Sequence, residues 1–360
     1  MRRTAALIVG GGPAGCAAAI GLARAGIVPE LIERTTGPHD VVCGGFLGWD
    51  ALAALRGLGI EPRELGARPI TRLRLISGTR VREASLPHPA AGLSRRTLDE
   101  FMLAAAAAAG AQISRGRAVR SADPAARSIR FDDGSALFAD ALLLATGKHE
   151  LRGAARPTET GSAPIGIRAA LPASPALTEA LDGMIELHPF DGGYGGLLIQ
   201  EDGSINLSIS LARWRLKAAG GIEAAIARLA DELPVLGRRL VGTHDLAWSA
   251  VAGVPYGWRA VATSPGIYRV GDQSAVIASL AGDGIAIALA RGIDAAGAIA
   301  AGTKAGDYQR AFAHRAARPL KVAEALRWAA ERRMPRAAMM GLLGWMPGLA
   351  PVAARLTRIG

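Results

Sequence analysis

Three glycines near the amino end, Gly10, Gly12 and Gly15, stand in G-x-G-x-x-G spacing. Each has its own task in holding a pyrophosphate. Gly10 allows a tight turn, Gly12 lets a phosphate approach bare backbone, and Gly15 lets a helix lie close to its strand. Glu33 follows about twenty residues later, where a carboxylate accepts hydrogen bonds from a ribose and disfavours a 2′-phosphate. Further along come Cys43-Gly44-Gly45, the pair Arg95-Arg96, His149, Tyr194 and Asp272. A thiol beside a redox group can donate a proton or tune it; a small buried hydrophobe is the other reading of Cys43. Arg95 or Arg96 at a helix start suits a phosphate, or forms a solvated pair. Asp272 suits a sugar or ribityl hydroxyl, or a strand-end turn. His149 reads as a site residue or an ordinary loop histidine. The six histidines are scattered without ligand spacing, so no metal site is expected.

These residues need elements to aim them. Leu7-Ile8-Val9 is an apolar run suited to a buried parallel strand, and Ala14 to Ala25 is an alanine-rich helix stopped by Gly26. Pro29 to Ile32 is a second strand that delivers Glu33. After a loop over 34–42, a helix is expected from Trp49 to Leu58. Strands are expected over 70–76 and 80–86, joined at Ser77-Gly78, then a helix capped by Ser94 and running to Ala109. Short strands follow over 111–114, 118–122 and 128–131. An apolar strand, Ala141 to Ala145, ends in Thr146-Gly147, where a crevice opens in an α/β sheet.

A second region, 163–254, spaces its strands closely (165–171, 184–188, 195–200 and 205–210), which implies an antiparallel sheet, before a helix over 222–233. Tyr194, between glycine pairs, is expected at the edge of that sheet, beside an apolar substrate pocket. The pattern then returns to its beginning. A strand from Gly266 ends at Gly271-Asp272, and a helix starting near Gly282 aims its positive end toward bound ligand. The tail from Tyr308 is helical and basic. Ala337 to Ala354 carries no charge, but Pro347, Pro351 and three glycines break it. It reads as two short amphipathic helices, lying on the body or on a membrane surface.

The chain has 360 residues, half of them hydrophobic, and a net charge of +11. That composition is globular and long enough for two interleaved domains. Aromatic residues are only 4%, and no nucleic-acid motif accompanies the basic charge, so no nucleic-acid partner is expected. Two cysteines, Cys16 and Cys43, fit a reducing cytoplasm; peripheral membrane contact through the tail is the alternative to its packing on the body. Met1-Arg2-Arg3 leads straight into the first strand, without the layout of a signal peptide.

The stretches IVGGGPAG with Glu33-Arg34, VVCGGFL, LSRRTLDEFML, LLLATGKHELRG and YRVGDQSA…LAGDGI occur in this order over about residues 5–300. Together they resemble the flavoprotein monooxygenase superfamily, most closely its geranylgeranyl-reductase-like branch. The resemblance implies a Rossmann-like FAD-binding domain of glutathione-reductase type over 1–69, 92–162 and 260–303. It implies an inserted, mainly antiparallel substrate sheet over 70–91 and 163–259, and a helical segment over 304–360. It implies FAD held by Gly10, Gly12, Pro13, Ala14, Gly15, Glu33, Arg34, Cys43, Gly44, Gly45, Arg95 and Val119. Thr146, Gly147, Gly271, Asp272, Gly282, Gly284 and Ile285 complete the set. Cys43-Gly44-Gly45 resembles the Cys-Gly-Gly of isoprenoid reductases, beside the isoalloxazine.

In aromatic hydroxylases the segment around Thr146-Gly147 usually reads Asp-Gly; here the aspartate is missing. NADH, NADPH or a separate reductase would supply electrons. The stretch PFDGGYGGLLIQEDG keeps Tyr194 of the reductases' substrate motif but lacks its tryptophan and proline. Monooxygenation of an apolar or aromatic small molecule is the first expectation. Reduction of an isoprenoid double bond with help from Cys43 is the second, and a non-catalytic prenyl-protein escort the third.

Overall fold

The computed structural model describes residues 3–157, 163–243, 245–346 and 348–359; Met1, Arg2, the expected boundary at 162, Pro347 and Gly360 lie outside them. In chain order the strands begin β1 (Arg3–Val9), β2 (Pro29–Ile32), β3 (Phe46–Leu47), β4 (Arg68–Ser77) and β5 (Arg80–Gly92). They continue β6 (Gln112–Ser114), β7 (Val119–Asp123), β8 (Ser128–Phe131), β9 (Ala136–Leu144) and β10 (Ile165–Leu171). The last are β11 (Met184–Phe190), β12 (Gly193–Ile199), β13 (Ile205–Leu211), β14 (Ser249–Ala252) and β15 (Ile267–Arg269). The helices are α1 (Pro13–Arg24), α2 (Trp49–Gly57), α3 (Arg95–Ala108), α4 (Pro175–Leu181), α5 (Arg213–Ala219) and α6 (Ile222–Glu232). Then come α7 (Pro234–Arg239), α8 (Gly284–Ala300), α9 (Ala305–Ala330), α10 (Arg333–Trp345) and α11 (Leu349–Leu356).

The first sheet runs β6-β2-β1-β9-β8-β7, with β15 paired to β9. Its β6, β2, β1, β9 and β15 are parallel neighbours. The register sets Val9 opposite Leu144, and Leu144 opposite Arg269. Their carboxyl ends therefore reach one line and deliver Gly10, Ala145 and Val270 side by side, where an open α/β sheet binds ligands. Helices α1 and α8 lie against each other at close range because their facing residues are small. A Cβ on Gly292 would come within 2.3 Å of the Ala14 carbonyl oxygen, and one on Gly21 within 2.7 Å of Ala296 Cβ.

The second sheet runs β14-β10-β13-β12-β11-β4-β5-β3, antiparallel except where β11 meets β4. Its inner face and α6 and α7 enclose a core of Ile167, Leu207, Ile209, Leu229 and Leu236. Two expectations change here. Tyr194 lies on β12, between β11 and β13, so it is interior to the sheet rather than at its edge. Gly192 alone makes the turn, at φ +79°, whereas Gly193 lies in the strand, where a Cβ would come within 2.6 Å of the Phe190 ring. Helix α8 starts at Gly284, not Gly282, because Gly282 is left-handed at φ +70° and Asp283 is the N-cap.

Candidate functional site

Two adjoining hollows lie along the carboxyl edge of the parallel strands, of about 450 and 140 Å³. They share Gly12, Arg95, Ala145, Gly147, Lys148 and Asp272. The larger is lined by Gly10, Glu33, Arg34, Val119, Thr146 and His149. The smaller takes Pro13, Ala14, Cys43, Gly44, Gly45, Gly271, Gly282, Gly284 and Ile285. Gly15 faces neither. A Cβ there would come 1.9 Å from the Gly10 carbonyl oxygen, so its role is the close approach of α1 to the strand turn.

The larger hollow carries the chemistry of an adenosine site. Glu33 is buried, and its Oε2 accepts from the Gly11 N–H at 2.7 Å. Its Oε1 accepts from the Thr35 N–H and hydroxyl, each at 2.8 Å. Burial pushes the carboxyl up, but the donors on Thr35 and Gly11 outweigh it, so Glu33 titrates below its ordinary range. A fixed carboxylate with spare lone pairs is what a ribose diol needs. Arg34 Nη2 meets His149 Nε2 at 2.9 Å; burial first, then Arg34, pulls that imidazole's pKa down, leaving it neutral as an acceptor.

Arg95 stands at the junction. Its guanidinium makes a bidentate pair with Asp99, both bonds 2.7 Å, and a Cβ on Gly12 would lie 3.1 Å from its Nη2. Burial opposes the charge, but Asp99 raises its pKa further, so it stays cationic beside the N-terminus of α1. A cation, a bare glycine and unpaired helix N–H groups together fit a pyrophosphate. Arg96 instead turns outward, 3.8 Å from Asp40.

In the smaller hollow, Cys43 and Arg95 line the same wall, and the Cys43 thiol accepts from the Gly45 N–H at 3.5 Å. Gly45 is at φ +66°, and a Cβ there would meet the Leu93 carbonyl oxygen at 3.0 Å. Phe46, Tyr256, Ile277 and Ile285 make the remaining walls largely apolar. Two joined hollows, polar at one end and apolar at the other, with a cationic waist, fit the shape of FAD. Tyr194 lines neither hollow. Its hydroxyl accepts from the Leu280 N–H at 3.1 Å and neighbours Tyr256, which bonds Ser279 at 2.9 Å, so it backs the apolar wall.

Sequence reasoning missed the groups that hold the Cys43 loop. Arg168, buried on β10, pairs with Asp40 at 2.9 Å and donates to Asn206 Oδ1 at 2.8 Å. Asn206 Nδ2 donates in turn to the Cys43 carbonyl oxygen at 3.0 Å. On the other side, buried Arg156 donates to the carbonyl oxygens of Asp272 and Lys148, at 2.9 and 3.1 Å. Nothing local marks an arginine in an apolar strand as a loop anchor. Replacing Arg168 with Met leaves Asn206 Oδ1 without its donor and Asp40 with only the longer contact to Arg96. The expected loss is about 2–3 kcal/mol, below the full range for a buried pair because Asp40 is part-exposed. Urea unfolding measures it, and an unchanged midpoint would show that the network carries no load.

Asp283 makes the end of α8 different from the bare positive terminus that its glycines imply. It is fully buried, its Oδ1 bonds Arg358 Nη1 at 2.6 Å, and its Oδ2 accepts the Ile359 N–H at 3.2 Å. Burial pushes its carboxyl from 3.8 up to about 6, with Arg358 working against the shift. A raised folded-state pKa favours the protonated form. The Asp283 contribution to stability is therefore full below about pH 4 and lost as pH rises through about 6. Asp283→Asn should flatten that part of the melting-temperature profile; parallel wild-type and variant profiles between pH 4 and 7 would refute the assignment.

Comparison with known proteins agrees with this geometry. Residues 3–132 match the family described as FAD binding domain. The chain is 28% identical to menaquinone reductase of Mycolicibacterium smegmatis, over 81% of this chain and 75% of that one. Among solved structures it resembles a flavin-dependent brominase, with TM-score 0.78, 17% identity, and 99% and 93% of the two chains covered. It also resembles a geranylgeranyl bacteriochlorophyll reductase-like protein of Thermoplasma acidophilum, with TM-score 0.74, 19% identity, and 100% and 94% covered.

Fold and site thus define an FAD-dependent oxidoreductase. More particularly, residues 3–132 carry an FAD binding domain, and the whole chain is similar in fold to a flavin-dependent brominase and to a geranylgeranyl reductase-like protein. An enzyme displaces the non-catalytic escort among the three expectations.

Proposed function

We propose that this flavoenzyme reduces a carbon–carbon double bond in a lipophilic, isoprenoid-type substrate, ahead of the monooxygenation that the sequence alone ranks first. The observation that carries the reading is the Cys43 thiol of the Cys-Gly-Gly loop in the smaller hollow, on the same wall as Arg95. Likeness to a menaquinone reductase along most of the chain supports it. A thiol in this position also argues against oxygen transfer, because electrophilic oxygen oxidises thiols readily.

Saturating the bond takes a hydride at one carbon and a proton at the other. FAD held along Gly12, Arg95 and the Cys43-Gly44-Gly45 loop would supply the hydride chemistry. Cys43 Sγ supplies the proton, and Arg95 steadies the thiolate left behind. Phe46, Tyr256 and Ile277 exclude water from the reacting bond. Burial pushes the Tyr194 pKa up, so its hydroxyl stays protonated behind that wall. NADH, NADPH or a partner reductase would supply the electrons.

Anaerobic turnover tests this. Enzyme reduced under argon and mixed with a prenyl quinone or prenyl diphosphate should yield product carrying two added hydrogens. Product that forms only with dioxygen, and contains its oxygen, would return the chain to monooxygenation.

A further inference from the structure

Helix α10 is docked on one side only. Its inner side is tied down through the Met340 carbonyl oxygen, which accepts from Arg82 Nε at 3.2 Å, and through Arg336, which pairs with Asp191 at 2.9 Å. Its outer side presents Met334, Ala338, Gly341 and Trp345, at helical spacings of four, three and four residues. Met334 and Trp345 are each 82% exposed. Helix α11 meets α10 at 120° and adds exposed Val352 and Leu356. Isolated apolar residues at a surface are ordinary, but a whole helix face of them marks a contact site.

The surrounding charge selects the occupant. Residues 332–360 contain five arginines and no aspartate or glutamate. Arg336 and Arg358 are committed to Asp191 and Asp283, while Arg332, Arg333 and Arg355 are exposed around the apolar face. Exposed Trp328, stacked with Arg332 at 4.9 Å, continues the rim. Apolar anchors, tryptophans and a one-signed cationic rim suit the headgroup region of an anionic bilayer. Spanning does not fit. Among the described residues no single helix is long and apolar enough to cross a membrane, and α10 reaches only about 20 Å against a hydrocarbon core of about 30 Å.

We propose that α10 and α11 form a monotopic docking face for an anionic lipid surface. The end of α9 links this face to the smaller hollow, because Arg327 lies over the Tyr256 ring at 5.6 Å, one residue before Trp328. A lipophilic substrate dissolved in the bilayer would then meet the enzyme on its pocket side. The docking itself does not depend on which reaction the flavin performs.

The test uses the full FAD-loaded chain and sedimented vesicles, either pure phosphatidylcholine or phosphatidylcholine with a quarter phosphatidylglycerol. Wild type should pellet with the anionic vesicles, release as salt screens the arginines, and bind the neutral ones weakly. M334S/W345S should lower the anionic partition coefficient about tenfold or more, and R332E/R333E/R355E likewise, with the flavin spectrum kept as the check of folding. Brominated phosphatidylglycerol should quench wild-type tryptophan fluorescence, a readout that needs no variant. Wild type left in the supernatant, absent quenching, or an M334S/W345S variant that partitions like wild type overturns the proposal. So does light scattering that shows a wild-type dimer made monomeric by M334S/W345S, which would give the face to a second copy.

Discussion

Gly12→Val should purify folded and colourless. Gly12 is the N-cap of α1 in an extended conformation, φ −76° and ψ −176°, which valine adopts without strain. Its missing Cβ faces nothing rigid: the one neighbour within 4 Å is Arg95 Nη2, the mobile end of a side chain. The fold should therefore survive. Binding should not, because two γ-methyls would cover the helix N–H groups and push Arg95 from the waist between the hollows. We expect FAD affinity to fall at least about a thousandfold, roughly 4 kcal/mol, by the visible flavin band and by titration calorimetry. Far-UV dichroism should stay near wild type. Gly15→Val is the contrast, since its Cβ would strike the Gly10 carbonyl oxygen and should prevent folding. A normal flavin spectrum in Gly12→Val would remove the diphosphate from this turn.

The same distinction between local and remote causes explains what the sequence made legible. Strands β2, β8 and β10 are short runs, apolar or alternating, set beside turn residues, and their expected limits match residue for residue. The glycine cradle is equally local, and its parts converge because parallel register aligns the strand ends.

Strand β5 was less legible. It runs on to Gly92 through Pro87 and Pro89, six residues past its expected end at Leu86. The ladder explains why: Ile70 faces Ala90 and Arg72 faces Ser85, so both prolines sit inside an irregularity where no ladder donor is required. The Thr71 and Arg72 N–H groups turn instead to the Gly183 carbonyl oxygen. Short helices α4, α5 and α7 and strand β14 lacked a periodic run long enough to read. The supports of the site were illegible for another reason. Asn206 reaches Cys43 across 163 positions and Arg358 reaches Asp283 across 75, and neither pairing leaves a mark on its own neighbourhood.

Those supports give the second large expectation its force, because they separate the thiol from the structure that carries it. The Cys43 loop is held through its carbonyl oxygen by Asn206, through Asp40 by Arg168, and through the turn at Gly45, while the side chain itself is only partly buried in the smaller hollow. Cys43→Ala should leave that loop in place and FAD affinity unchanged. Reduction of the bound flavin by its donor needs no proton from this thiol and should keep its rate. Anaerobic reoxidation by the double-bond substrate does need it, and should slow by about 10²–10⁴-fold, the usual worth of a positioned general acid. Cys43→Ser, which keeps the size but holds its proton more tightly, should recover only part of that rate. Stopped-flow absorbance follows both half-reactions in one preparation. A loop role alone would move FAD affinity or both half-reactions together. Unchanged reoxidation in Cys43→Ala would make the thiol a packing group and take away the argument that places reduction ahead of oxygen transfer.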